Sequence, residues 1–501
     1  MHTVNETQLD EKLAQLERLR NWSPRVISKL EAFIHNSDDY TIFRVDPIQY
    51  AAEKGMTENE AIDLFLNAAK LGLFDLEWNL ICACCGQVFT SLRSIGHLHT
   101  HFICSLCRFE NNLQLDDFIQ ISFTIAPSIR ENIFHNPDSL SAEDYAFRYR
   151  LVKGIQRQPG HGLNADYFKK NTPVLTYLDA GEKLTTDVEA TPGLFYAGDV
   201  LHSTMLALGV APKDVLPETP LMAMKFCLPE MQVTSPETHP YDLLLTTEHG
   251  EAKYSFTHFA QVSAGHSQWV FENQLSERAC LWVFDAPEDL ASTWMELPPF
   301  LSGKRLLTTQ TFRNLYRSEV IDTSEGLGIR EITFLFTDLK GSTALYDQLG
   351  DLKAYHLVRQ HFDALNSVVV RHSGAVVKTI GDAVMASFCT ALEGMQAALE
   401  MFQAIDEFNR GRTEQIILKI GLHTGHTIAV TLNDRLDYFG QTVNIAARIQ
   451  QLADANEIYI SQDVYAHNGV PDLLKSCNIS SLQANVKGVS GMLQLYKITS
   501  R

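Results

Sequence analysis

The sequence predicts a multidomain α+β protein, and three observations lead to that class. The chain has 501 residues, enough for three or four domains of about 150 residues each. Its texture changes along its length, from helix-capping patterns, through a cysteine-rich arm and short strand-like runs broken by Pro and Gly, to a last third of interleaved strands and helices. Hydrophobic residues make up 45% of it, so every segment has material for a core.

The first segment, residues 1–76, reads as helical. In "DPIQYAAEKG", Asp46 is placed as N-cap, Pro47 at the first helical position and Gly55 as the stop. "TENEAIDLFLNAAKLG" follows, with a Thr57/Glu60 capping box and Gly72 as its stop. Two short helices across a tight turn, then "LFDLEW", predict a winged-helix-like unit. Its second helix would be the recognition helix of a DNA reader, but Glu58, Glu60 and Asp63 on it repel phosphate. The net charge of −19, from 41 basic and 60 acidic residues, likewise argues against nucleic acid or an anionic membrane held by global charge. The opening "MHTVNETQLDEKLAQLERLRNW" has no apolar signal core, and no apolar run approaches the ~18 residues of a membrane span. A cytoplasmic chain is expected.

Residues 77–120 hold five of the nine cysteines. Cys82-x-x-Cys85, eighteen residues, then Cys104-x-x-Cys107 is zinc-ribbon spacing, with Gly86 suited to a tight knuckle. Four thiolates suit tetrahedral Zn²⁺, so a structural zinc is predicted and Cys84 is a bystander. The competing reading is a redox sensor with Cys84 as exchange partner. His97, His99 and His101 are expected at the surface or in turns. The other cysteines (227, 280, 389, 477) are expected to be small core residues.

Residues 121–305 comprise a polar, partly helical connector (136–170) and a β-rich regulatory domain. Its strands are read at "PVLTYL", "YDLLLTT", "QWVFENQ" and "RACLWVFD", a sandwich-like or barrel-like pattern. Residues 306–328 are expected to be a transducing linker. From 329 to 501 the order is strand "EITFLF", two helices, the hairpin "AVVKTI-GD-AVMASF", a helix, strand "IILKIGLHTG", helix "TVNIAARIQQLA" and strand "EIYIS". The βααββαβ that opens this succession is a ferredoxin-like core, with helices on one face of a mostly antiparallel sheet.

The chemistry concentrates in this last segment. "FLFTDLKGST" sets Asp338 directly after an apolar strand, before a turn whose backbone N–H groups can hold phosphate. The hairpin turn supplies a second carboxylate, Asp382. Carboxylates at the ends of neighbouring strands can bridge two divalent cations for phosphoryl or nucleotidyl transfer. Lys378 and Asp382 sit four apart around Gly381, which also allows a plain salt bridge between them. Asn444 and Arg448, also four apart, share one helix face. Taken singly, Asp338 is also a helix cap, Lys378 a surface strand residue, Asn444 a core amide and Arg448 a surface charge.

Together these residues, and above all "RLDYFGQTVNIAARIQ" (435–450), resemble the class III adenylate cyclase catalytic domain over residues 329–498. Residues 1–328 resemble regulatory regions found ahead of some bacterial cyclases. The resemblance implies two Mg²⁺ or Mn²⁺ ions per site on Asp338 and Asp382, and adenine read by Lys378 and Asp437. It implies a ribose-orienting Asn444, a transition-state Arg448 and a triphosphate-binding Lys487. Lys419 stands where many members have arginine, keeping charge but losing the bidentate fork. Because carboxylates and base readers meet across two chains in this family, a single copy carrying both halves implies a homodimer with two shared active sites. Lys378 and Asp382 would then serve different sites. The expected activity is ATP to cyclic AMP and pyrophosphate, under an unknown regulatory ligand or protein. The alternative is an ATP-sensing zinc-ribbon/winged-helix regulator that binds nucleic acid or protein.

Overall fold

The computed structural model describes residues 3–499 except 105, 108, 203, 213–220, 227–230, 234–240, 248–249, 257–258, 288–289, 322–325 and 487–490. Cys227 and Lys487 therefore lie outside the described residues.

Four helices open the chain: α1 (Glu6–Arg18), α2 (Val26–Asn36), α3 (Pro47–Lys54) and α4 (Glu58–Lys70). The predicted caps at Asp46 and Thr57 form, accepting from Ile48 N at 2.9 Å and Glu60 N at 3.3 Å. The capping box does not close, because the Glu60 carboxylate is drawn off to Ser23 N (2.8 Å). Asp63 is likewise engaged, by Arg20 and Thr311. Helix α4 is a core helix: seven of its thirteen residues are buried. Strands β1 (Phe74–Ile81), β2 (Val88–Leu92) and β3 (Ile119–Ile125) form an antiparallel sheet in the order β2-β1-β3.

The β-rich middle contains two larger sheets and two antiparallel pairs, Tyr241–Thr247 with Gly250–Phe256 and Gln156–Gln158 with Trp294–Glu296. Five strands order as Phe259–Ser263, Thr204–Ala211, Gly193–Asp199, Ala279–Ala286 and Val174–Leu178. Four order as Met231–Val233, Leu221–Phe226, Gly265–Asn273 and Lys183–Ala190. Phe195, Trp269, Phe271, Leu281 and Val283 fill one core between them. The connector is less polar in effect than expected: Tyr145, Phe147, Tyr167 and Phe168 are buried with Trp282 and Phe284.

Two short helices, α5 (Gly303–Leu307) and α6 (Gln310–Leu315), lead out of this region. The last segment runs β4 (Leu327–Leu339), α7 (Ser342–Leu349), α8 (Asp351–Arg371), β5 (Ala375–Ile380), β6 (Ala383–Phe388), α9 (Ala391–Asn409), β7 (Leu418–Leu432), β8 (Arg435–Phe439), α10 (Gln441–Leu452), β9 (Glu457–Ser461), β10 (Asn478–Asn485) and β11 (Met492–Thr499). The sheet order is β5-β6-β4-β7-β9-β11-β10, with β8 paired to β7; among these pairs only β7/β9 is parallel.

Alternation along β4 separates two cores. Leu335 and Leu339 point to the α8/α9 side, whereas Phe334 and Phe336 point the other way. That second face does not end at the C-terminal segment. Phe334, Phe336, Met385, Tyr438 and Ala446 belong to the same buried cluster as Phe65, Trp78, Phe123 and Phe312 from the front of the chain. The described part of the expected linker, residues 306–321 and 326–328, is thus packed structure, with Phe312 fully buried.

Candidate active site

Asp338 has the face parity of Phe334 and Phe336, which puts it at the end of β4 on the face away from α8 and α9. Lys419 is its register partner on β7, and Lys419 Nζ lies 2.5 Å from Asp338 Oδ2. The β4/β6 register pairs Phe336 with Met385, so its continuation sets Asp338 beside Ala383, next to Asp382. Asp382 follows Gly381, whose φ of +63° makes the tight turn. Asp382 Oδ2 is buried, and no hydrogen-bond partner among the described residues reaches it. Burial raises the Tyr346 hydroxyl pKa, and the charges of Asp382 and Asp338 add to it, so both carboxylates act on one point. Two acidic oxygen donors, one of them orphaned, fit a hard divalent cation.

Lys378 does not pair with Asp382. Its Nζ lies 2.5 Å from Asp437 Oδ2, and Asp437 Oδ1 accepts from Tyr438 N at 2.8 Å. Asp437 is buried while Lys378 is half-exposed, so the pair has one anchored and one open member. Asn444 and Arg448 lie on α10, Asn444 exposed and Arg448 half-buried. Helix α10 reaches them there by lying against β7 at Gly421, where a Cβ would come 2.3 Å from Gln450 N. Only glycine permits that approach. Lys487 lies outside the described residues.

Within one chain the candidate residues thus form separate ion pairs, Lys419–Asp338 and Lys378–Asp437. Sequence reasoning did not single out Tyr346, Gly421 or the α6 residues touching β5 and β8. Only Gly421 left a readable trace, as the first glycine in "KIGLHTG".

The cysteine prediction converges in space. The sulfurs of Cys82, Cys85, Cys104 and Cys107 lie within 4.8 Å of one another, and all four cysteines are free. Gly86, at φ +74°, forms the knuckle and donates its N–H to Cys82 O at 3.0 Å. Asn111 Nδ2 approaches Cys82 Sγ at 3.6 Å, and Gln87 Oε1 accepts from Cys104 Sγ at 3.1 Å. Cys84 is half-buried outside the group, and His101 pairs with Glu110 at 2.8 Å instead. Among the described residues, no helix is long and apolar enough to cross a membrane.

Known proteins resemble the two ends of the chain. Residues 9–205 match a family of unknown function, DUF5939, and residues 327–498 match the adenylate and guanylate cyclase catalytic domain. An adenylate cyclase of Anabaena cylindrica is 27% identical over 185 residues, 34% of this chain and 37% of the relative. Putative adenylate cyclase 3 of Rhizobium meliloti (strain 1021) is 31% identical over 147 residues, 28% of this chain and 24% of the relative. The matched stretch therefore spans well under half the length of these curated relatives. The guanylate cyclase domain of RhGC from Catenaria anguillulae, solved in complex with GTP, is 25% identical with a TM-score of 0.31, covering 35% of this chain and 98% of that one. Residues 327–498 are a catalytic domain of the adenylate and guanylate cyclase family.

Proposed function

We propose that this protein is an adenylate cyclase converting ATP to 3′,5′-cyclic AMP and pyrophosphate. The observation that carries the choice of ATP is the Lys378–Asp437 pair. Adenine offers an acceptor at N1 and a donor amine at N6; lysine only donates and aspartate only accepts. Guanine reverses both atoms, so the same pair would meet like with like.

Two divalent cations, Mg²⁺ or Mn²⁺, held by Asp338 and Asp382 would supply the acidity that makes the ribose 3′-hydroxyl a nucleophile toward the α-phosphate and the charge that releases pyrophosphate. Lys419 then exchanges Asp338 for triphosphate oxygens, alongside Lys487. Asn444 orients the ribose, and Arg448 donates to charge developing on the phosphate, a contribution of roughly 3–4 kcal/mol for a well-aimed donor. Base readers and carboxylates come from opposite chains of a homodimer with two shared sites. Exposed Asn444, together with Ile380 (53%) and Phe439 (64%) at the ends of the base-reading strands, supports a partner on this surface. The cysteine cluster holds one structural Zn²⁺, buttressed by Asn111, whose Nδ2 donates toward Cys82 Sγ.

The full chain is expected to form cyclic AMP from ATP with Mg²⁺ or Mn²⁺, and far less product from GTP. No cyclic AMP from a metal-loaded dimer would refute the reading. Lys378→Ala and Asp338→Ala chains, each inactive alone, should regain activity when mixed, because one site of the heterodimer is intact. Heterodimers without activity would refute the shared site.

A further inference from the structure

Lys378 and Asp437 come from strands that do not touch. Among the described residues, strand β5 is a sheet edge and β8 pairs with β7 alone, with β6 and β4 in between. Both strands are met from outside by the same short helix, α6. Gln310 Oε1 accepts the Val376 N–H at 2.8 Å, where β5 bulges between Val376 and Lys378. The bulge sets which way Lys378 points, since a one-residue slip moves a side chain to the other face. Gln310 Nε2 donates to Asn314 Oδ1 at 3.0 Å, which fixes the carboxamide with its oxygen toward β5. One turn on, Arg313 Nη2 donates to Leu436 O at 2.6 Å, the carbonyl immediately before Asp437. Its guanidinium lies 5.6 Å over the Tyr438 ring, immediately after Asp437. The helix itself is anchored in the front of the chain, by buried Phe312 against Trp78 and by Tyr316 OH donating to Leu66 O at 3.2 Å.

We infer that Gln310 and Arg313 are positioning residues for the purine-reading pair, so that the front half of the chain sets nucleotide selectivity through α6. This rests on Lys378 and Asp437 being the adenine contacts. Neither residue needs to touch nucleotide: one holds the bulge before Lys378, the other the strand around Asp437. A base pocket is discriminating only while donor and acceptor keep their spacing, because a misplaced charged partner leaves a buried polar group unpaired.

The test uses the full-length protein. Gln310→Ala and Arg313→Ala should each raise KM for ATP and lower the ATP-to-GTP ratio of kcat/KM by about five- to tenfold, the range of one lost hydrogen bond. The change in kcat should be smaller than the change in KM. Gln310→Glu, which keeps the acceptor, and Arg313→Lys, which keeps a donor, should recover most of the selectivity. Equilibrium binding of a non-hydrolysable ATP analogue reports the same loss independently of turnover. Folded alanine variants with unchanged KM and unchanged ATP-to-GTP ratio would overturn the inference, as would Glu and Lys variants no better than alanine. Lys378→Ala and Asp437→Ala run in parallel, read by equilibrium binding of non-hydrolysable ATP and GTP analogues: if they leave the ratio of the two affinities unchanged, the base-reading assignment itself is what fails.

Discussion

Asp382 shows how a single residue can be poor for stability and still be placed with care. Its buried Oδ2 has no donor to meet, and an unsatisfied buried polar atom costs about 1–3 kcal/mol. Asp382→Ala is therefore expected to leave the melting temperature of the metal-free chain unchanged or higher while lowering cyclase activity more than about 100-fold. Thermal denaturation in chelator beside a cyclic AMP assay checks both halves, and a clear loss of stability would show that the carboxylate has a structural partner after all. Asp338 differs, because Lys419 already neutralises it. The sequence offered Lys378 and Asp382 as near neighbours, but a turn at Gly381 and a bulge before Lys378 send them to different partners. Spacing of four implies proximity on a helix and not on a hairpin.

Helix α3 is tied to residue 301 by its own cap. Asp46 accepts from Ile48 N, from Gln120 Nε2 at 2.9 Å and from Leu301 N at 3.1 Å. Burial raises its pKa from 3.8 to about 6 against the pull of those donors. A folded pKa above the unfolded one means the protonated form is favoured in the fold. The stability contributed is full below about pH 4 and is lost as pH rises through about 6. Asp46→Asn keeps an acceptor for the cap and cannot ionise. It should flatten the pH dependence of the denaturation midpoint between about pH 4 and 6. The cysteine cluster is the second place where the proposed zinc, and not packing alone, would set local order. A strong chelator, or Cys104→Ser, should then release about one zinc per chain and lower the melting temperature, because metal binding at such a site is folding free energy. Elemental analysis before and after mild oxidation distinguishes this from a redox sensor, which would hold no zinc and change its thiol count.

At the scale of the molecule, the front of the chain and the catalytic sheet share one hydrophobic core. Phe334, Phe336, Met385 and Tyr438 are each less than a tenth exposed, and part of what covers them comes from before residue 320. Tyr438 OH also donates to Leu307 O, and Arg305 pairs with Glu393 of α9 at 2.6 Å. A fragment starting at residue 327 would bare that face. It should self-associate at concentrations where the full chain keeps a defined size, as read by light scattering, and should lose selectivity between ATP and GTP. A well-behaved fragment with full selectivity would show that the front half is a passive neighbour.

By itself the sequence determined the local and the chemical. Helix caps, the 375–388 hairpin and the cysteine spacing are each set by a few adjacent residues, and their physical causes act over the same short range. The residue types of the candidate site were legible for the same reason, since a cation needs carboxylates and adenine needs a donor beside an acceptor. Only the tertiary structure decided the pairings. Lys378 meets Asp437 across 59 positions, Lys419 meets Asp338 across a strand ladder, and α6 spans two sheet edges that no spacing rule connects. It also decided that residues 301–321 contribute to the core through Leu301, Leu306, Leu307, Phe312 and Ile321. Those contacts depend on which faces of distant elements remain apolar after local structure has formed, and burial of those faces, not the chain between them, selects the partners.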